Sequence, residues 1–408
     1  MKFSKLSQLV LVSALGLVLA SVLSGCAIVT VDYLFVACSS GTSAGSSGQI
    51  QSFAVDSESG ALRPAGKTVP SGGGKPISMA TTADYANLYV ANQSNNSIVH
   101  FQVNYDGSLT QKESVTIPFT PAQIAVSQAA SNPDNTYLYV AGGSNPAQVA
   151  VYPISSGAVG SLAQSVTLTV PGFATDVIAA TGVTILPNGK GVYVSAYDQS
   201  AYNPGGTVTS SANPGWVYAF STGSGGALTA ASGSPYQAGV KPSTLTSEPT
   251  NRFVYVTDFA SNELIGYDVV SDEGLSLIPS SPFKTGSEPT AIVVDPRALY
   301  IYIADSLSSN VSPYSIALST GTPSAIVNVS GSASTTTDTE PVSILVDPAL
   351  GRFVYTANFL GNSVSGFQIN PNTGAISYTQ ATPYPTGLNP SAIVAVPHGN
   401  HAIQVVTP

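Results

Sequence analysis

Six positions in this chain put an ionisable or hydrogen-bonding side chain immediately before a recurring proline: Lys75, Thr120, Lys241, Glu288, Glu340 and Asn389. A further copy of the same segment lacks the proline and has Ala180 in that place. Two carboxylates, two ammonium groups and an amide gathered at one spot would suit a small polar or anionic ligand. Glu288 or Glu340 could activate a water, and Lys241 or Lys75 could stabilise the oxyanion that follows its attack. Clustered, partly desolvated Glu and Lys shift one another's pKa values, which is how such groups are tuned for proton transfer. The plainer alternative is a set of solvated loop residues whose ion pairs are worth little individually.

A second set recurs at Asn92, Asp198, Asp258, Asp305 and Asn358. Asp and Asn bond nearby backbone and start turns, so turn formation is their first reading. One carboxylate per repeat is unlike a clustered metal loop. Asp258 and Asp305 join Lys75 and Asn389 as candidates for ligand contact. The Gly- and Pro-rich stretch 199–216 adds Tyr202 and Trp216, the chain's one Trp, next to Tyr197. Aromatic side chains on such a loop offer contact area. His100, His398 and His401 have no Cys or carboxylate at metal spacing, so neither a metal nor a cofactor is called for. The chain contains no Gly-x-Ser-x-Gly elbow, phosphate loop or dinucleotide fingerprint.

What must position these residues is a repeat. Residues 341–387 read as four short strands separated by Asp347-Pro348, a Gly-Asn turn and Asn372-Thr373-Gly374. The second strand returns as YLFVACSS from 33, NLYVANQS from 87, YLYVAGGS from 137, GVYVSAYD from 191, RFVYVTDF from 252, LYIYIADS from 299 and RFVYTANF from 352. The first strand returns seven times, beginning at 75, 120, 181, 241, 288, 340 and 389. A period of about 50 residues with four strands per unit predicts an all-β, seven-bladed β-propeller of four-stranded antiparallel blades. Radial packing is how such units bury both faces and protect their edges.

The chain enters on a second-type strand at 31–37, and 389–396 is a first-type strand without partners of its own. The two segments are therefore expected to complete one blade and clasp the ring. A degenerate strand at 401–406 is left over. Insertions at 128–136, 199–216 and 328–339 are expected as surface loops. Loops between blades, and loops joining second to third strands, share one face, called the top here. Both candidate sets belong to it, whereas Arg252 and Arg352 precede second strands and belong to the bottom. Asn96, Asn262, Asn310 and Asn362 are expected at hairpin tips.

Residues 1–25 stand outside the repeat. Lys2 and Lys5 precede an apolar run at 9–22, too short for an ordinary spanning helix. It ends in Leu23-Ser24-Gly25-Cys26, which resembles the lipobox of bacterial lipoproteins. That resemblance implies lipidation of Cys26, a short tether at 26–30 and membrane attachment through the lipid; no low-complexity linker breaks the repeat series, so a single domain is expected over 31–408. Ala27 after the Cys implies sorting to an outer membrane, facing the periplasm or the surface. Cys38 is then a lone thiol, read as a small packed side chain. The balance of 12 basic to 21 acidic residues argues against nucleic acid as a partner. A monomer is expected.

The repeat itself is similar to a known family. The pattern P-x-x-I-x-V-D-P with F-V-Y-x-x-N, N-x-V-x-x-F-x-I-N-P-x-T-G-A-I, best at 341–376 and echoed at 289–303, resembles the seven-bladed propeller lactonases. So does S-P-F/Y-x-x-G at 234–239 and 281–286, with a variant at 382–387, placed between blades. The family includes 6-phosphogluconolactonase-type proteins and relatives of the fungal carboxymuconate cyclase. The resemblance implies His, Arg and Glu at the channel mouth; such a trio is not matched in this sequence.

Two functions follow as expectations. One is a lipid-anchored envelope propeller that binds a small molecule, glycan or envelope protein on its top face. The other is a lactone hydrolase acting on an extracytoplasmic sugar or acyl lactone, with Glu288 or Glu340 activating water and Lys241 or Lys75 holding the oxyanion.

Overall fold

The meander repeat leaves each sheet with two apolar faces, and the chain hides both by standing its sheets around an axis. The computed structural model describes residues 29–39, 47–127, 136–171, 177–201, 214–328 and 331–399. The leader, Cys26, Tyr202 and the short repeat at 401–406 lie outside the described residues.

Blade 1 contains Thr30–Cys38, Gln49–Asp56 and Leu62–Pro70, and its innermost strand is Pro390–Pro397 from the other end of the chain. Blades 2 to 7 follow in chain order on innermost strands Pro76–Thr81, Pro121–Val126, Ile178–Ile185, Pro242–Ser247, Pro289–Val294 and Pro341–Val346. Each innermost strand touches the next, and the series returns from blade 7 through Pro390–Pro397 to blade 2. The expected clasp is present: Thr30–Cys38 pairs antiparallel with the C-terminal strand from Asp32 opposite Pro397 to Cys38 opposite Pro390.

Second strands are sandwiched on both faces. Phe253–Asp258, Tyr300–Asp305 and Phe353–Asn358 are buried at every position, so they read as near-continuous apolar runs. Their central Tyr fills the space between blades, and a buried phenol must still find an acceptor. The hydroxyls of Tyr89, Tyr139, Tyr255, Tyr302 and Tyr355 donate to the carbonyls of Gly157, Gly226, Gly321, Gly374 and Gly60, each in the next blade. Tyr193 donates to the Glu273 carbonyl in the same way. Blade 1 carries Phe35 at this point of the repeat, so its joint with blade 2 has no equivalent bond.

The outer edges differ from expectation. The S-P-F/Y-x-x-G segments do not simply connect blades; they build the second half of a broken outermost strand, Tyr236–Gln237, Phe283–Lys284 and Tyr384–Pro385. Where the ladder breaks, a side-chain oxygen replaces the missing carbonyl. Ser234 Oγ accepts from the Ala219 N–H, Ser281 Oγ from Gly266 and Thr382 Oγ1 from Gly366. The bottom face is tied down by buried carboxylates. Asp347 accepts the N–H groups of Leu350, Gly351, Arg352 and Phe353, and Asp295 and Glu248 do the same in blades 6 and 5.

Candidate functional site at the upper mouth of the pore

Each proline that opens an innermost strand faces the end of the second strand. Pro76 lies opposite Asn92, Pro242 opposite Asp258, Pro289 opposite Asp305 and Pro341 opposite Asn358. Both candidate sets therefore share one end of the ring.

Near that end the ladder between first and second strands slips by one residue in every blade. Such a bulge re-aims the extra side chain. The extra residues are Ile77, Ala122, Thr181, Ser243, Thr290, Val342 and Ser391, and all seven line an axial cavity of about 410 Å³. Three of their hydroxyls stitch neighbouring blades together. Ser243 Oγ donates to the Pro289 carbonyl at 2.6 Å, Thr290 Oγ1 to Pro341 at 2.8 Å and Ser391 Oγ to Pro76 at 2.5 Å. Gln123 Oε1 accepts the Val183 N–H at 2.8 Å and the Thr244 hydroxyl at 3.4 Å, bridging blades 3, 4 and 5.

The charged residues converge on the side of blades 5 to 7. Glu340 reaches the cavity, and among the described residues that line it only Glu340 is charged. Burial, then the neighbouring Glu288 charge, raises its carboxyl above the ordinary range. Lys241 is half-buried, its Nζ 4.2 Å from the centre of the Phe259 ring and 5.7 Å from that of Tyr197. Burial lowers its amine, while Glu288 and Asp258 oppose the shift. Lys241, Glu288 and Glu340 thus form a chain of electrostatic neighbours across three blades.

Their backbone is strained. Lys75, Glu288, Glu340 and Asn389 all have left-handed φ, at 52°, 55°, 60° and 51°. A non-glycine residue held there before proline costs on the order of 1–3 kcal/mol, so surrounding bonds must enforce it. The Glu288 N–H donates to Asn262 Oδ1 at 2.7 Å and the Asn389 N–H to Asn362 Oδ1 at 2.8 Å. Ser306 and Phe359 donate their N–H groups to the carbonyls of Glu288 and Glu340. Asn96, Asn262 and Asn362 are hairpin-tip residues as expected, but in blade 6 that conformation falls on Ser309, and Asn310 opens the next strand.

Several candidates are placed elsewhere. Asp258 is fully buried and accepts the N–H groups of Val240, Lys241 and Ala260, so it staples the turn rather than meeting a ligand. A Cβ on Gly239, itself at φ 71°, would collide with that carboxylate. Asp305 is also fully buried: one oxygen takes the Ser312 hydroxyl at 2.6 Å and the other has no partner among the described residues. Burial pushes its carboxyl up to about 7. Trp216 is not a loop residue. It belongs to the strand Gly215–Thr222 and packs half-buried against the core of blades 3 and 4. Lys75 is exposed and Asn389 half-buried on the mouth's rim. Tyr202 lies outside the described residues.

Arg252 and Arg352 stay at the bottom, beside Glu248 and Asp347. His100 is buried against Tyr89, its Nε2 2.8 Å from Asn87 Oδ1, and His398 lies between Tyr33 and Tyr105. Among the described residues, no group of three or more His, Cys, Asp or Glu is assembled for a metal. Sequence reasoning missed the bulge residues and the Phe259 and Phe359 rings. The available signal was position: one residue after each recurring proline, and one after each second-strand Asp or Asn.

Comparison with protein families matches residues 28–131 and 228–404 to the family described as Lactonase, 7-bladed beta-propeller. Among solved structures, the chain is similar to a protein of Bacteroides uniformis assigned as a 6-phosphogluconolactonase. That match has 16% identity and a TM-score of 0.70, covering 90% of this chain and 100% of the other. It is also similar to the periplasmic gluconolactonase of Pseudomonas aeruginosa, with 18% identity, a TM-score of 0.69, and coverage of 91% and 100%. At these identities the likeness to the two structures is one of fold. Comparison with curated protein sequences found no match.

Proposed function

Since this chain belongs to the seven-bladed β-propeller lactonase family, we propose that its upper pore mouth hydrolyses a lactone. The observation that carries this reading is Glu340, which lines the axial cavity with Glu288 as its charged neighbour, Glu288 in turn being the neighbour of Lys241. A carboxyl raised above its ordinary range holds a proton more readily, which suits it to proton transfer. In the proposed reaction Glu340 takes a proton from water, and the hydroxide attacks the ring carbonyl. Lys241 stabilises the oxyanion of the tetrahedral intermediate. Collapse breaks the ring C–O bond, the leaving alkoxide recovers the proton from Glu340, and a hydroxy acid departs.

The leader and Cys26 support a protein tethered by lipid in the cell envelope, facing an extracytoplasmic sugar or acyl lactone. The competing reading is a propeller that binds a small molecule, glycan or envelope protein here without turnover. It is favoured by the lack of any His or Arg at the mouth among the described residues. Acid release from glucono-δ-lactone and from acyl lactones by the purified protein, with Glu340→Gln alongside, separates the two. Hydrolysis lost in the variant supports catalysis at the mouth; hydrolysis untouched by it rejects the assignment.

A further inference from the structure

A second cavity, about 600 Å³, opens on the top face between blades 2 and 3. It meets the axial cavity at Ala122, which lines both. In a ring of seven, the joint between blades 6 and 7 faces blade 3 across the axis. The groove therefore leaves the pore on the side opposite Glu288 and Glu340. A ligand with its reacting end at Glu340 can therefore continue across the mouth and along this groove.

The lining states the chemistry of what would lie there. None of the described residues that line the groove is charged, so neither a phosphate nor a carboxylate finds a counter-ion. Its apolar lining comes from Phe119, Pro118 and Pro146, and the same lining carries the amides of Gln93, Asn96 and Gln148. Gln93 spends its Nε2 on the Pro121 carbonyl at 3.2 Å and keeps its oxygen as an acceptor. Gln148 accepts the Ser165 hydroxyl on Oε1 at 2.6 Å and keeps its amide N–H groups as donors. Donors and acceptors beside apolar surface match the alternating hydroxyl and C–H faces of a neutral sugar.

We infer that the groove between blades 2 and 3 binds the second sugar unit of a neutral oligosaccharide whose terminal aldonolactone ring enters the pore mouth. The inference rests on the lactonase reading above and adds the substrate class. Each cavity falls within the size range of a small-molecule site, so pore and groove together accommodate more than one ring.

The test compares cellobiono-δ-lactone with glucono-δ-lactone on the purified protein. The disaccharide lactone is expected to have the larger kcat/KM, by about tenfold, which is one hydrogen-bonding subsite's worth of binding. Gln148→Ala and Ser144→Trp, the second filling the groove, should each reduce that preference about tenfold. Equal kcat/KM for the two lactones, or a preference unmoved by both variants, overturns the inference while leaving the lactonase reading intact. Hydrolysis of neither lactone sinks the lactonase reading alone, and calorimetry with cellotetraose then decides the groove. Binding that Ser144→Trp abolishes supports it, and no binding overturns it.

Discussion

The proposed hydrolysis turns on Glu340, which combines access to the cavity with a charge that its surroundings disfavour. Glu340→Gln should lower kcat by at least about 100-fold, the scale of a lost general base. Since its carboxyl is raised, activity should fall as pH drops through that raised value. Glu288→Gln removes one cause of the shift, so the acid limb of the kcat/KM profile should move to lower pH. An unmoved limb would mean another group titrates there. Asp305 makes a separate statement about stability. It stays protonated in the folded protein up to about pH 7 against an ordinary value of 3.8. The folded state therefore binds a proton that the unfolded chain releases, and stability falls as pH climbs from 3.8 through about 7. Asp305→Asn should gain on the wild type from about pH 5 to about pH 8, by on the order of 2 kcal/mol in chemical denaturation. A constant difference across that range would contradict the assignment.

Joints between blades are where elements contribute. Tyr302→Phe deletes the bond to the Gly374 carbonyl without opening a cavity, and should cost about 1 kcal/mol, read as a lower denaturation midpoint at unchanged slope. The strands were legible because their burial demands a pattern: Phe253–Val256 is an unbroken run of large apolar and aromatic residues, as sandwiching between sheets requires. The clasp was legible because the first repeat lacked an inner strand and the last had one to spare. The pore lining was not. A bulge is a slip in pairing between two strands, and nothing in Pro289-Thr290-Ala291 read alone says that Thr290 is the extra residue. Left-handed φ at Glu288 and Glu340 was equally hidden, since it is imposed by Asn262 and by Ser309 from neighbouring hairpins. Trp216 misled because it follows directly on Asn213-Pro214-Gly215, residues that read as a turn, although the strand already begins at Gly215.

At the scale of the molecule, one ring depends on two tethers. Removing 389–408 strips Thr30–Cys38 of its inner partner, exposes a long unpaired edge and deletes Asn389 and Ser391 from the mouth. Such a chain should unfold over a broader range and aggregate, measurable by calorimetry and light scattering, whereas a chain that keeps its sharp transition would show the clasp to be dispensable. The other tether is the proposed lipid. Cys26→Ser should shift the protein from the membrane fraction to the soluble envelope fraction, with hydrolysis per molecule unchanged.

Six walls of the pore are made from 76–346 in the order the chain is synthesised, and the seventh comes from 390–397. On the export proposed above, a polypeptide still crossing the membrane therefore holds Glu288, Glu340 and Lys241 in an arc that does not yet enclose anything. Its mouth comes into being only when that late strand reaches the blade begun by the earliest one. Catalytic competence would then be a property acquired at the destination, and lactones inside the cell would never meet a finished enzyme.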